Sequence, residues 1–148
     1  HSMTHELTQR TAERGELERI TSFYLENGYD SPLDDEDTFL VVEDGGHIVA
    51  ALRLCHEEGV IVLRGMQVRQ DCQRRGIGST LLRYAESVLG ENHCYCIPYS
   101  YLERFYEGVG FVRIDPLEAP PFLRERWSTY MGKLGLDVIL MRRAGFHS

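Results

Sequence analysis

No stretch of this chain is apolar for long enough to cross a bilayer, and no positively charged, then apolar, segment opens it. The expectation is therefore a cytoplasmic protein with no membrane partner. Basic residues are in deficit, 16 Lys and Arg against 23 Asp and Glu, for a formal net charge of −7. Such a surface repels nucleic acid unless a basic patch overrides it, and no basic run is long enough to do so. The same acidity can draw a cationic acceptor by long-range attraction, or do no more than keep the protein soluble. Cys-x-x-Cys spacing is missing as well. The four cysteines are Cys55, Cys72, Cys94 and Cys96. His93, Cys94 and Cys96 crowd together without the spacing that zinc favours, so no metal is expected and the thiols are read as reduced and partly buried.

Repeats, low-complexity tracts and flexible linkers are also missing. What is present suits one globular unit: 148 residues, 43% hydrophobic and 26% charged. His1 and Ser2 precede Met3 and read as an expression scar, which leaves 3–148 as a single domain.

Thr11 is placed to cap a helix with Leu17, Ile20, Phe23 and Tyr24 on one side, stopped at Asn27-Gly28. A strand at residues 39–42, the turn Asp44-Gly45-Gly46 and an alternating return strand make a hairpin, with Arg53 and Cys55 on the face opposite Ile48, Ala50, Leu52 and Leu54. Glu57-Glu58-Gly59 turns the chain into a further strand, Val60–Val68. A helix from about Gly78 carries Leu81, Leu82, Ala85, Val88 and Leu89 in one stripe and ends at Gly90. Residues 94–97 form a short strand broken by Pro98, and Ser100-Tyr101-Leu102-Glu103 has the pattern of a capping box opening a helix that stops near Gly108. Residues 111–114 read as a strand. Pro120-Pro121 opens a helix around 120–132 with Leu123, Trp127, Tyr130 and Met131 on one face, and residues 136–141 are the last strand. The physical reading is an α+β domain around a mixed sheet.

The chemistry concentrates where the strand ending at Val68 passes through a glycine-bearing turn into a helix. Such a turn aims free backbone N–H groups and the positive end of the helix dipole at one point, which suits an anion. Gly76 and Gly78 let a bulky anion reach the main chain without a Cβ in the way. A nucleotide-phosphate loop would need Gly-Lys-Ser/Thr, and no lysine is here. The dinucleotide fingerprint would need a third glycine where Leu81 stands.

The run Gln73-Arg74-Arg75-Gly76-Ile77-Gly78 resembles the R/Q-x-x-G-x-G/A pyrophosphate motif of the GNAT superfamily of acyl-CoA-dependent N-acyltransferases. Downstream, Phe105-Tyr106-Glu107-Gly108-Val109-Gly110-Phe111 resembles the end of that family's last α-helix, and the two matches come in the family's order. The resemblance runs from the first helix to the last strand, with residues 115–135 as an elaboration. It implies the GNAT fold, a mixed six- to seven-stranded sheet flanked by helices and splayed open between its fourth and fifth strands to admit acetyl-CoA. By the same resemblance Val60–Val68 is the fourth strand and residues 94–97 the fifth. Main-chain groups over Met66, Gln67 and Val68 would hold the pantetheine arm. Gln73, Arg74, Arg75, Gly76, Ile77, Gly78 and Ser79 would hold the pyrophosphate, and Tyr106 would be the general acid. Tyr99 departs from the family, where many members have asparagine.

A phenol with pKa near 10 is close enough to a thiol near 8.5 to return a proton to it. The base is open between Glu57, Glu58 or His56 acting through water and an acceptor amine that is already mostly neutral. The activity implied is acetyl transfer from acetyl-CoA to a primary amine of a small molecule or peptide, by direct attack on the thioester. The competing readings are a catalytically silent acyl-CoA sensor, an amino-acid acetyltransferase of N-acetylglutamate-synthase type in which Arg64 grips a carboxylate, and a toxin-type enzyme acting on charged tRNA, which the net charge disfavours. The elaborated segment is expected to wall the acceptor site near Tyr106, with a homodimer contact as the alternative use of its apolar face.

Overall fold

The computed structural model describes residues 7–145. The expected scar at His1 and Ser2 lies outside them.

A seven-stranded mixed sheet runs in the order β1-β2-β3-β4-β5-β7-β6. Its members are β1 (Leu7–Thr11), β2 (Thr38–Asp44), β3 (His47–Glu57), β4 (Val60–Val68), β5 (Cys94–Cys96), β6 (Phe111–Arg113) and β7 (Met141–Arg143). The helices are α1 (Leu17–Glu26), α2 (Ile77–Leu89), α3 (Glu103–Glu107) and α4 (Pro121–Gly132). Strand pairing is antiparallel except between β4 and β5.

The β2–β3 hairpin forms where Asp44-Gly45-Gly46 predicts it, with both glycines at positive φ. β3 is covered on both faces. Leu40, Leu52 and Leu54 pack toward α2, whereas Val41 and Ala51 pack under Ile20, Phe23 and Tyr24 of α1. Arg53, on the α1 face, is 3% exposed and is neutralised by Asp37 at 2.7 Å.

Four local expectations are corrected. Thr11 ends strand β1 and caps no helix; its hydroxyl lies 3.0 Å from that of Tyr84, and Leu7–Thr11 pairs along β2. Leu7 is the only apolar residue of Leu7–Thr11, too little alternation to signal an edge strand, although Val60–Val68 as a fourth strand requires one more strand before it. Ser100 forms no capping box, because its hydroxyl donates to the Asp137 carboxylate at 2.6 Å. Of residues 136–141, only Met141 joins a ladder. Val138 makes a single bridge to Tyr99, and Pro98, with no N–H to donate, interrupts the pairing. On α4, Leu123 is fully buried against Val62 and Leu140, but Met131 is 41% exposed and off the packed face.

Candidate active site

The parallel pairing of β4 with β5 is confined to Val62 opposite Tyr95 and Leu63 opposite Cys96. Beyond that point the strands part, so residues 64–68 present a sheet edge with no neighbouring strand. The cause sits in β4. Arg53 pairs with Arg64 and Ala51 with Gln67, so Gly65 and Met66 together oppose Leu52 alone. This is a β-bulge, which bends its strand and raises the local twist. Gly65 has φ +64°, and a Cβ there would come within 3.0–3.1 Å of Arg53 and Tyr29. Both backbone and space therefore demand glycine. An isolated glycine inside a strand pattern was the available signal for this bend.

The gap is a cavity of about 510 Å³ whose walls include Arg64, Gly65, Met66, Gln67, Tyr106 and Tyr130. Tyr130 brings α4 into the wall. Tyr106 is 4% exposed, packed edge-on against Phe105 and Phe111. Burial, reinforced by the neighbouring thiols of Cys96 and Cys94, pushes its phenol well above its ordinary value, so the hydroxyl stays protonated.

At the other end of the gap, β4 runs through a short turn (Gln70–Cys72) into the loop before α2. Arg74 and Gly76 have positive φ, at 69° and 76°. The first bond into the helix runs from Thr80 N–H to the Gly76 carbonyl, and among the described residues no main-chain acceptor meets the amides of residues 74–79. These orphan donors converge with the helix dipole, and they fit a pyrophosphate. Gly78 lies 3.5–3.6 Å, measured from a built Cβ, from Met66, Val68 and Phe105, at the junction of loop and gap. Arg75 is drawn partly toward Asp44 at 3.9 Å, and Gln73 donates to the Val68 carbonyl at 3.2 Å. That carbonyl therefore already has a donor, while the edge over Met66 does not.

The carboxylates considered as bases do not line the gap. Glu58 is exposed in the β3–β4 turn at φ 48°. Glu57 is gripped in two-pronged fashion by Arg126 of α4 at 2.6 and 3.1 Å, and Arg64 approaches it at 3.7 Å. The Arg126 hydrogen bonds hold the Glu57 carboxyl below its ordinary pKa, which opposes proton uptake. His56 is exposed. Arg126 and the Arg53–Asp37–Tyr29 cluster were not singled out as site-forming in the sequence. Arg53 donates to the Tyr29 hydroxyl at 2.7 Å and to the Pro32 carbonyl at 3.3 Å, which fastens the loop between α1 and β2 against the gap. Among the described residues no group of His, Cys, Asp and Glu could hold a metal ion, all four cysteines are free and buried, and no helix is long and apolar enough to cross a membrane.

Comparison with known proteins agrees with this geometry. No curated protein matches the chain. The fold is shared with N-acetylglutamate synthase from Neisseria gonorrhoeae complexed with coenzyme A and N-acetyl-glutamate, at 15% identity and TM-score 0.70, over 96% of this chain and 36% of that one. The chain thus spans about a third of that protein's length. Escherichia coli ElaA superposes at TM-score 0.66 and 13% identity, over 95% of this chain and 99% of its own. The ribosomal-protein-S18-alanine N-acetyltransferase from Escherichia coli does so at 0.68 and 15%, over 97% and 96%. A family model described as acetyltransferase (GNAT) domain matches residues 35–113, more than half of the chain and the whole stretch from β2 through the bulge, the anion loop and Tyr106 to β6. The chain belongs to the GNAT acetyltransferase family.

Proposed function

We propose that the protein transfers an acetyl group from acetyl-CoA to a primary amine by direct attack of the amine on the thioester. The observation that carries this reading is the coincidence, in one gap, of a bare strand edge, orphan amides at its mouth and a buried phenol in its wall. The amides of residues 74–79 would hold the pyrophosphate, with Arg74 and Arg75 near its phosphates. The β4 edge at Met66 and Gln67 would hold the pantetheine amides as an added strand would. Val68 would contribute once Gln73 yields its carbonyl.

Tyr106 would give its proton to the sulfur as the C–N bond forms and the C–S bond breaks. Burial raises the phenol, but a thiolate leaving in the same gap is desolvated too, so the two remain matched. The phenol is restored when its phenolate takes the proton that the nitrogen sheds once the C–N bond has formed; the ammonium must lose its first proton before attack. With Glu57 held as an ion pair and Glu58 in an exposed turn, deprotonation falls to water and to the amine's own acidity. For a lysine-like amine that costs about 4 kcal/mol at pH 7.4, and for an α-amino group under about 1 kcal/mol. An α-amine is therefore the better acceptor for this site.

The test is release of free CoA thiol from acetyl-CoA over a panel of α-amines and side-chain amines. Turnover on α-amines at neutral pH is expected. Tight acetyl-CoA binding with no turnover on any amine would favour the acyl-CoA sensor instead.

A further inference from the structure

Three arginines line the gap or the cavities adjoining it, and their charge is unevenly answered. Arg53 is matched by Asp37 in a buried pair at 2.7 Å. Arg126 is matched by both oxygens of Glu57 and lies 5.6 Å over the Phe122 ring. Arg64 is left with a share of that same Glu57 carboxylate at 3.7 Å, outside hydrogen-bond range. Among the described residues no acceptor meets its guanidinium N–H groups.

Arg64 is positioned to be used. It follows Leu63, where the ladder to β5 ends, and it precedes the Gly65 bulge. Its side chain, 26% exposed, lines the cavity of about 510 Å³ that Tyr106 also lines, and an adjoining one of about 120 Å³ with Ser31, Arg126 and Tyr130. In the larger cavity the other charged wall residue is Asp30, exposed on the loop after α1. On the flank toward α1, Arg64 also lines an open cavity of about 520 Å³ that carries Asp34 and Asp35, both exposed to solvent, with Asp37 and Glu57 already paired to Arg53 and Arg126.

We propose that the acceptor carries a carboxylate beside its amine, and that Arg64 binds this carboxylate inside the gap while Asp30 meets the ammonium before reaction. The inference rests on the acetyltransferase reading. A planar guanidinium with free donors takes a carboxylate in paired hydrogen bonds, a match that a surface ammonium does not offer. A dicationic acceptor would have to place its second charge against Arg64. Glu57 performs a positioning task in this arrangement: it consumes Arg126, ties α4 to the β3–β4 turn and leaves one guanidinium for the ligand.

The experiment compares matched acceptor pairs, α-amino acids and their α-carboxamides, in wild type, Arg64→Gln and Arg64→Lys, with acetyl-CoA affinity measured calorimetrically in parallel. The expected result is kcat/KM for the acid member about tenfold to a hundredfold above the amide, the range of a charge-assisted pair. Arg64→Gln should collapse that ratio toward one, and Arg64→Lys should keep part of it. Amides used as well as acids, or a substitution that lowers both members alike, overturns the assignment. So does the absence of turnover on every pair while acetyl-CoA binds normally. If wild-type protein fails to bind acetyl-CoA, the acetyltransferase reading itself falls, and that outcome is distinct from the others.

Discussion

Tyr106 and Gly78 carry the sharpest consequences of single side chains. A phenol that touches Phe105 and Phe111 is an ordinary core residue by its packing, and only the gap at its hydroxyl end makes it chemical. Tyr106→Phe keeps the packing and removes the proton. It is expected to lower kcat about a hundredfold, the usual scale for a general acid, with acetyl-CoA affinity nearly unchanged. The raised phenol adds a pH signature. A group whose folded pKa lies above its ordinary value keeps its proton as pH rises through that value, so wild-type kcat should not fall between about pH 9.5 and 10.5, where an ordinary phenol near 10 would lose its proton. A descending limb there, or an undiminished kcat in Tyr106→Phe with chemistry rate-limiting, would return Tyr106 to the core. At Gly78 the space around a built Cβ is ordinary van der Waals contact, so Gly78→Ala should fit. Gly78→Asp adds a negative charge beside the orphan amides and should abolish CoA binding by calorimetry. Wild-type affinity in that variant would remove the loop from the binding site.

Among the elements, β4 governs the rest because its bulge opens the sheet. Gly65→Ala forces a Cβ into a positive-φ position, at about 1 kcal/mol or more, and against Tyr29 and Arg53 at 3.0–3.1 Å. Chemical denaturation should show a loss of about 2 kcal/mol or more, and the α1–β2 loop that Arg53 fastens should become more open to proteolysis. An equally stable variant would mean the bulge tolerates a side chain. Much of this architecture was legible in advance where local chemistry is strong. The Gly45-Gly46 hairpin, the α2 stripe and the glycine loop each declare themselves within a few residues. Elements defined by distant partners did not. β1 is a strand because β2 offers an edge, Ser100 abandons its cap for Asp137, and Arg126 becomes part of the site only because α4 folds back onto Glu57. For the same reason the roles open to Glu57 and Glu58 could not be read from two glutamates before a glycine. The partner that occupies Glu57 is 69 positions away.

At the scale of the molecule, the sheet is two sets of strands, β1–β4 and β5–β7, joined by a ladder only two residue pairs long. Side chains do the remaining joining. Leu63, Cys96, Tyr106 and Met141 meet on the α2 face, and Val62, Leu123 and Leu140 meet on the α4 face. A cosubstrate seated in the gap would add hydrogen bonds to an edge that has no strand beside it, and would do so only in the folded state. Binding to the folded state alone stabilises by about 2.7 kcal/mol at a hundredfold excess over Kd. For a chain of this length each kcal/mol raises Tm by roughly 2–4 °C, so saturating acetyl-CoA should raise Tm by about 5–10 °C. The shift should vanish in Gly78→Asp, whose Cβ faces Met66, Val68 and Phe105 at the junction of loop and gap. It should also be independent of protein concentration if Trp127 and Tyr130 of α4 serve the gap, where Trp127 donates to the Val138 carbonyl and Tyr130 lines the wall. A Tm that climbs with protein concentration and ignores acetyl-CoA would instead assign the apolar surface of α4 to a contact between two copies of the chain.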